Sequence, residues 1–274
     1  MRVAYQGEPG AYGEEAVHRL FGAVPTVQCT SFAGVFEAVQ RGDADRGVVP
    51  VENSLAGSIN ETYDLLLAHE LVITGELDLR VSHCLMGLPG QTLGQIKKVY
   101  SHPQALAQAD AYLKRLGAEL VPYYNTAGSA KMIREQGLEG CAAVASRRAA
   151  SLYGLEILAE AIETTPSNYT RFFELSTTPA ERVEPSKTSI VFIVRNTVGT
   201  LYAALGALAT RRVNLIKIES RPARQRPWEY TFYVDVDGHA DVEPLRAALV
   251  ELRQHTTFLR VLGSYPKALP PDAT

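Results

Sequence analysis

The sequence predicts an α/β protein built of two parts, and three observations support this fold class. Apolar segments with strand character alternate with amphipathic helical segments from residue 1 to about 176. Residues 177–187 are polar, contain proline and lack an apolar period, which indicates a linker. Residues 188–265 then repeat strands and helices, and 266–274 form a tail that we expect to be frayed. A length of 274 residues agrees with two domains.

The first elements alternate strand and helix in the order expected of a mainly parallel sheet. Residues 2–5 are predicted as a strand, and 14–21 as a helix because its apolar residues recur at spacings of three and four. Ser31 is placed to cap the next helix, and Gly42 can end it. A strand at 47–51 follows. Helices on both faces of a parallel sheet are therefore expected.

A second lobe is predicted beyond the extended stretch 71–86, which we interpret as a crossover. The alternation resumes there, with predicted helices at 104–116 and 128–136. Lobe one is predicted at about 1–75 and 160–176, and lobe two at about 76–159. Two such lobes leave a cleft between them, and ligands of α/β sheets gather at the carboxyl ends of strands.

The C-terminal part has the element order βαββαβ. Its predicted strands and helices are 189–194, 200–211, 213–219, 229–235, 242–254 and 258–262. This is the order of a ferredoxin-like domain, which often needs a partner to cover an exposed edge or face of its sheet. We therefore expect oligomerisation.

Composition excludes several classes of function. With 46% hydrophobic residues, 21% charged residues and a formal charge of −3, nothing suggests nucleic-acid binding. No apolar run approaches the ~18 residues of a membrane span, and the start lacks the features of a secretory signal. Cys29, Cys84 and Cys141 are odd in number and widely spaced, so neither a disulfide framework nor a metal site is indicated. A cytoplasmic location is expected.

The candidate site residues lie where predicted strands begin or end. The stretch Asn168–Phe172 combines an amide, a hydroxyl and a guanidinium, which together can hold a carboxylate and deliver a proton to a leaving group. Two polar pairs and one single residue at the ends of predicted strands are further candidates for substrate contact: Asn53 and Ser54, Ser101 and His102, and Thr126.

Several of these residues have equally good local interpretations. Ser101 and Thr126 are each candidates for a helix N-cap. Ser58 and Glu61 fit a capping box that opens a helix at 59–68. Thr170 can bond a turn backbone, and Arg171 either grips a substrate carboxylate or makes a structural ion pair.

Four motifs in this order carry a resemblance to a known family: Gly7–Tyr12, Val49–Ser54, Ser101–Gln104 and Asn168–Phe172. Together they resemble prephenate dehydratase. The last third, with its Gly199-Thr200-Leu201 loop and the Glu219-Ser220-Arg221-Pro222 stretch, resembles the ACT domain that these enzymes carry as a phenylalanine sensor. The resemblance covers about residues 1–265.

The resemblance implies a two-lobed catalytic part of the periplasmic-binding-protein type (type II). It implies conversion of prephenate to phenylpyruvate with loss of water and carbon dioxide, without a metal or an organic cofactor. Thr170 would protonate the leaving hydroxyl. The implied substrate-binding residues are Asn53, Ser54, Ser101, His102, Thr126, Asn168, Arg171 and Phe172.

The ACT resemblance implies feedback inhibition by L-phenylalanine and assembly as a homodimer or homotetramer through these domains. The implied effector-binding residues are Asn196, Gly199, Thr200, Leu201, Glu219 and Ser220. Two alternatives stay open at this point. One is an arogenate dehydratase, and the other is a binding protein that senses amino acids without performing chemistry.

Overall fold

A computed structural model describes residues 1–223 and 229–268. The chain forms two compact units: Met1–Ile59 with Leu77–Phe172, and Asn60–Glu76 with the residues from Phe173 onward. In chain order the elements are β1 Val3–Gln6, α1 Tyr12–Phe21, β2 Thr26–Cys29, α2 Phe32–Arg41, β3 Arg46–Asn53, β4 Gly57–Ser58, α3 Asn60–Ala68, β5 Val72–Arg80, β6 Cys84–Gly87, β7 Lys98–Ser101, α4 Pro103–Gln108, α5 Asp110–Leu116, β8 Glu119–Pro122, α6 Thr126–Gln136, β9 Cys141–Ala145, α7 Arg147–Tyr153, β10 Glu156–Ala159, β11 Tyr169–Ser176, β12 Ser186–Ile193, α8 Thr200–Ala209, β13 Leu215–Pro222, β14 Tyr230–Asp237, α9 Leu245–Gln254 and β15 Phe258–Pro266.

The first sheet has the order β2-β1-β3-β11-β5, with β4 paired to β3. Strand β1 is parallel to both β2 and β3, as the alternation of elements predicts. Helix α1 buries Ala16 and Val17 against the sheet residues Val3 and Val48. Helix α2 begins where Ser31 Oγ accepts a hydrogen bond from the Gly34 N–H, so the predicted cap is confirmed.

The second sheet has the order β10-β6-β9-β7-β8 and is mixed, since β6 runs antiparallel to β9 and β10. Strand β7 is parallel to β8 and β9, which brings their carboxyl ends to one edge. One face packs against α6 and α7, where Ala130 and Ala149 are buried, and the other packs against α4 and α5, where Leu106 and Leu113 are buried. The helix predicted at 104–116 is divided into α4 and α5 at Ala109.

The third sheet has the order β13-β14-β12-β15 and is antiparallel at each pairing. This confirms the βαββαβ arrangement. Residues on a strand alternate between faces, so Phe232, Val234 and Val236 of β14 pack with α8 and α9 on one side. Tyr233 of the same strand lies on the other side.

Helix α3 covers part of that other face within the second unit. The rings of Tyr63 and Tyr233 are 4.8 Å apart, and the Arg221 guanidinium lies 3.0 Å from the Asp64 carboxylate. The Arg260 guanidinium donates to the carbonyl oxygens of Leu66 and His69, where α3 ends and its carbonyls lack partners within the helix.

These contacts explain why the compact units divide the chain differently from the predicted boundary near residue 176. Residues 60–76 and 173–176 group with the C-terminal part because α3 packs on its sheet. The predicted domain limits stay a prediction. Helix α3 begins at Asn60, one residue later than predicted, and Ser58 lies in β4 opposite Glu52. The capping box of Ser58 and Glu61 stays a prediction.

None of the helices in the described ranges has the length and apolarity that crossing a bilayer requires.

A close backbone contact in the second unit yields a stability prediction. A Cβ added to Gly263 would lie 2.0 Å from the Ile73 carbonyl oxygen, whereas one added to Gly206 in α8 would meet nothing within 4 Å. We expect Gly263→Ala to lower the thermal unfolding midpoint by about 5 °C or more, as overpacking costs about 1–3 kcal/mol. Gly206→Ala should raise it slightly, by about 1–3 °C, because alanine favours helix. Equal midpoints for both variants would contradict the close approach.

Candidate active site

A cavity of about 410 Å³ lies within the first unit, at the strand ends of the first two sheets. Its polar lining consists of Gln6, Tyr12, Asn53, Ser58, His83, His102, Gln104, Gln108, Asn125, Thr126 and Thr170. Its larger apolar lining residues are Phe32, Val48, Pro50, Ile59, Val81 and Phe172. Within the described part of the chain, the lining contains no lysine, arginine, aspartate or glutamate. An anionic ligand must therefore be held by amides, hydroxyls, imidazoles and backbone N–H groups.

Thr170 lines the cavity, and its hydroxyl is oriented by Asn53. The Asn53 amide donates to Thr170 Oγ1 over 3.0 Å, and both residues are buried. Because the threonine oxygen accepts this bond, its own hydrogen is available to an acceptor in the cavity. A donor to the hydroxyl oxygen also favours loss of the hydroxyl proton. This is the arrangement that a proton donor needs.

Asn53 lines the cavity, but its side-chain amide makes several hydrogen bonds to other groups of the protein. Besides Thr170, its amide nitrogen donates to Asn168 Oδ1 over 2.8 Å, and its Oδ1 accepts from the N–H groups of Leu55 and Ala56 at 3.1 and 3.0 Å. The asparagine therefore fixes the loop after β3 against the start of β11. Its predicted contact with substrate is limited to whatever surface these bonds leave free.

Two predicted substrate-binding residues lie outside the lining. Asn168 is fully buried, with Oδ1 accepting from Asn53 and its carbonyl accepting from Val81 N–H. Ser54 Oγ accepts from Tyr169 N–H over 3.0 Å and donates to the Ser167 carbonyl over 3.1 Å. Neither side chain lines the cavity: Ser54 Oγ bonds backbone groups at the start of β11, and Asn168 Oδ1 bonds the Asn53 amide. The buried Asn168 Nδ2 has no hydrogen-bond partner within the described residues.

Arg171 also lies outside the cavity lining, and its contact with a substrate carboxylate stays a prediction. On a strand, successive side chains point to opposite faces, so Arg171 faces away from Thr170. Its guanidinium lies 3.7 Å from a Glu52 oxygen and 3.5 Å from an Asp78 oxygen. The structural ion pair is therefore the interpretation that the geometry favours. Phe172, two residues on from Thr170, does line the cavity.

Ser101 and His102 lie at the end of β7 and were both predicted to contact substrate, but only His102 lines the cavity. Ser101 is buried, and its hydroxyl donates to the Val144 carbonyl over 2.6 Å, so it is neither a lining residue nor the helix cap. His102 lines the cavity and caps α4, with Nδ1 accepting from Gln104 N–H over 3.3 Å. Burial lowers the pKa of His102, which agrees with a neutral ring that accepts this bond.

Thr126 lines the cavity at the start of α6, together with Asn125. Asn125 Oδ1 accepts from Gly128 N–H over 3.0 Å, so the cap is Asn125, and the alternative of Thr126 as the cap is wrong. Thr126 is the first residue of the helix. The start of α6 therefore opens at the cavity, where a helix N-terminus favours an anion.

Sequence reasoning missed three lining residues that form one group: Tyr12, His83 and Gln108. His83 is buried; its Nδ1 lies 2.9 Å from Tyr12 Oη and its Nε2 2.9 Å from Gln108 Oε1. Burial lowers the pKa of His83, and burial raises the pKa of Tyr12 well above its usual value. A histidine inside the apolar stretch 71–86 was the available signal.

The predicted effector residues lie in the second unit. Gly199, with φ 83°, precedes α8, and Thr200 Oγ1 donates to the Thr197 carbonyl over 2.9 Å. Leu201 packs against the hydrophobic core under α8 and so points away from solvent.

The loop after β12 and the end of β13 lie at the same end of the third sheet. Thr231 of β14 pairs with Ile193 on one side and Arg221 on the other. Asn196 in that loop is therefore at the same sheet end as Glu219 and Ser220, with β14 between them.

Comparison with known proteins agrees with this architecture. A family model for prephenate dehydratase matches residues 3–180, and a model for the ACT domain matches residues 188–254. Arogenate dehydratase 1 of Petunia hybrida is 48% identical over 290 residues, covering 99% of this chain and 68% of its own length. Arogenate dehydratase/prephenate dehydratase 2, chloroplastic, of Arabidopsis thaliana is 45% identical, covering 97% of this chain and 73% of its own length.

Two solved structures match nearly the whole chain. Prephenate dehydratase from Arthrobacter aurescens in complex with L-Phe has a TM-score of 0.89 and 33% identity, covering 98% of this chain and 90% of its own. A protein described as GqqA, a novel type of quorum quenching acylases, has a TM-score of 0.91 and 39% identity, covering 98% of each chain. The predicted fold class is thereby confirmed.

The expectation of a cytoplasmic location is wrong on this comparison. Three of the similar Arabidopsis proteins, at 44% to 45% identity, are named chloroplastic. A composition without a secretory signal did not distinguish these compartments.

Two domain models match in chain order, and the relatives are similar over nearly the whole chain. The chain belongs to the prephenate dehydratase family, whose members are dehydratases of aromatic amino acid biosynthesis, and it carries a C-terminal ACT domain.

Proposed function

We propose that the protein converts prephenate to phenylpyruvate, releasing water and carbon dioxide. The observation that carries this proposal is the Thr170 hydroxyl, which lines the cavity with its oxygen held by Asn53 and its hydrogen free for an acceptor. In this reaction the bond to the ring carboxylate breaks, its electron pair enters the ring, and the ring hydroxyl leaves. Proton donation from Thr170 turns that leaving group into water.

The driving force resides in the substrate, since the ring becomes aromatic. The protein's contribution is to orient the dianion and to donate the proton. Neutral donors around the cavity serve the first task, among them the amides of Gln104 and Asn125, the Thr126 hydroxyl and the start of α6. The family resemblance implies no metal or organic cofactor for this chemistry.

Arogenate is the second candidate substrate, because relatives of this similarity are named arogenate dehydratases. Arogenate differs from prephenate in carrying an ammonium where prephenate has a keto oxygen. The described lining has no carboxylate that would pair with an ammonium. This supports prephenate, because a buried charge without a partner is costly.

Regulation by L-phenylalanine is proposed for the second unit. It is supported by the ACT domain model and by the similar prephenate dehydratase whose structure contains L-Phe. The loop residues Asn196, Gly199 and Thr200 would bind the amino-acid end of the effector. Linkage requires phenylalanine to bind more tightly to the less active state.

Assembly as a homodimer or homotetramer through the ACT domains is part of the same proposal. Tyr202 on α8 and Val198 before it are exposed apolar residues next to the proposed effector loop. A partner that covered them would remove apolar surface from water. Sedimentation measurements on the full chain, with and without phenylalanine, would show the assembly.

The role of Thr170 is tested by two substitutions. Thr170→Ala should lower kcat for prephenate by about 10²–10⁴, the usual contribution of general acid catalysis, with a smaller change in KM. Thr170→Ser keeps a hydroxyl within reach of the Asn53 amide and should retain most of the activity. Undiminished turnover in Thr170→Ala would remove the proton donor from the mechanism, and a wild-type protein that binds prephenate without turnover would favour the sensor alternative.

Substrate preference is tested by measuring phenylpyruvate formed from prephenate and phenylalanine formed from arogenate under equal conditions. We expect kcat/KM for prephenate to exceed that for arogenate by at least about tenfold, which corresponds to ~1.4 kcal/mol. A preference for arogenate would show that the ammonium finds a partner in the bound state and would make arogenate the substrate.

The effector loop is tested by two alanine substitutions in the full chain. Gly199 has φ 83°, where a residue with a side chain costs about 1–2 kcal/mol, so Gly199→Ala should distort the loop. The phenylalanine concentration for half inhibition should rise about five- to tenfold. Gly206→Ala, within the helix α8 that follows the loop and with open space around it, is the matched control and should leave inhibition unchanged. Identical inhibition in both variants would place the effector elsewhere.

A further inference from the structure

His83 is held at both ring nitrogens, and the hydrogen atoms in this arrangement can be counted. Tyr12 Oη lies 2.7 Å from the Ser82 carbonyl and 2.9 Å from His83 Nδ1. A carbonyl can only accept, so the single phenol hydrogen belongs to the bond with Ser82. His83 Nδ1 must then carry a hydrogen and donate to the tyrosine oxygen.

The second ring nitrogen faces the side-chain amide of Gln108, with Nε2 lying 2.9 Å from Oε1. An amide oxygen only accepts, so this orientation requires a hydrogen on Nε2 as well. The two ends of the Gln108 amide have the same shape, so the geometry allows both orientations. With Oε1 facing Nε2, His83 is an imidazolium and the Gln108 NH₂ group is free of the ring. A neutral His83 would require the opposite orientation, with NH₂ donating to Nε2 and the amide oxygen released.

Gln108 lines the cavity, so its orientation decides what a ligand meets. With the imidazolium, the amide offers N–H donors to a ligand. With neutral His83, it offers an oxygen acceptor, which a carboxylate disfavours. The protonation state of a buried ring is thereby converted into the polarity of one part of the cavity wall.

The groups around His83 shift its pKa in opposite directions, so the charge of the ring can change. Burial lowers the pKa of His83, so the ring tends to be neutral in the empty protein, while the hydrogen bond to Gln108 and the nearby Glu163 carboxylate act in the opposite direction. Glu163 Oε2 accepts from the His83 backbone N–H over 2.9 Å, and its Oε1 makes no hydrogen bond within the described residues.

The other titratable groups near the His83 ring do not supply a positive charge to the cavity wall. The raised pKa values of the Tyr12 phenol and the Cys84 thiol leave both neutral. Arg80 lies 3.9 Å from Glu163 on the outer side and is half exposed. His102 also lines the cavity, but its Nδ1 accepts the capping bond from Gln104 and so is occupied.

We propose that His83 is a positioning residue that takes up a proton when a carboxylate-bearing substrate enters the cavity, and that it thereby aims the Gln108 NH₂ group at the substrate. This rests on the proposed function for its substrate. A cavity whose described lining lacks lysine and arginine gains one positive charge in its wall only when an anion is present. The only atom transferred is one proton, which moves from solvent to His83 Nε2.

The sign of the pH dependence follows from linkage. The pKa of His83 is lowered in the free protein and raised by the bound anion, so binding takes up a proton between these two values. Below the free-state pKa the ring is already charged and affinity is highest. Above it, kcat/KM should fall by up to tenfold per pH unit, while kcat should hold until the higher pKa of the complex.

The test is the pH dependence of prephenate turnover by the full chain, between about pH 5.5 and about pH 8. We expect the wild type to show the separated profiles of kcat/KM and kcat. His83→Gln, which cannot titrate, should have a flat kcat/KM profile near the wild-type value at high pH, with kcat less affected. His102→Asn keeps a capping side chain and should retain the wild-type slope.

A second substitution distinguishes loss of the proposed proton uptake from a folding defect caused by replacing the buried His83. Gln108→Leu leaves the histidine in place and removes the amide, so it should also flatten the kcat/KM profile. Wild-type slopes in both His83→Gln and Gln108→Leu, or a flat profile in His102→Asn alone, would overturn the proposal.

Failure of the proposed function is distinguishable from failure of this inference. A wild-type chain that turns over prephenate at no pH contradicts the function, and calorimetric binding of prephenate in two buffers of different ionisation enthalpy then measures proton uptake directly. Uptake that disappears in His83→Gln supports the inference, and uptake that persists in that variant contradicts it.

Discussion

One side-chain amide, that of Asn53, is the constraint on which the cavity depends. It receives two backbone N–H groups from its own loop and donates to Asn168 and Thr170, which are more than a hundred residues away in sequence. Because the side chains of Asn53, Asn168 and Thr170 are buried, leaving one of these bonded groups without its partner would cost about 1–3 kcal/mol. The same bonds that stabilise the β3 loop against β11 therefore orient the Thr170 hydroxyl, which we propose as the proton donor.

Under the proposed function, the described part of the cavity wall would bind an anion without a fixed cation. Arg171, the nearest guanidinium in sequence to the threonine, is directed to the other face of β11 and neutralised by Glu52 and Asp78. Amides, hydroxyls and the start of α6 remain as donors. A permanent cation would bind substrate and product carboxylates alike, whereas the neutral donors and titratable ring that we propose would hold an anion less strongly and let product leave.

In the second unit, polar and aromatic side-chain contacts hold α3 on the third sheet. Arg260 and Arg221 bind the end and the acidic side of the helix, and Tyr233 packs on Tyr63. Lys187 is buried with its ammonium 2.7 Å from Glu76 and 3.6 Å from Asp235. Buried ion pairs of this kind specify an arrangement more than they stabilise it.

The sequence by itself determined the alternation of strands and helices, the cap at Ser31, the βαββαβ order and the strand-end location of Asn53, His102, Thr126 and Thr170, because these depend on local periodicity and capping chemistry. Only the tertiary structure decided which polar side chains face the cavity. The side chains with the same chemistry as true lining residues are instead bonded to distant backbone, amide or carboxylate groups; they are Ser54, Ser101, Asn168 and Arg171. His83 and Gln108 became recognisable only when the fold brought them within 2.9 Å, since no local pattern records a partner 25 residues away.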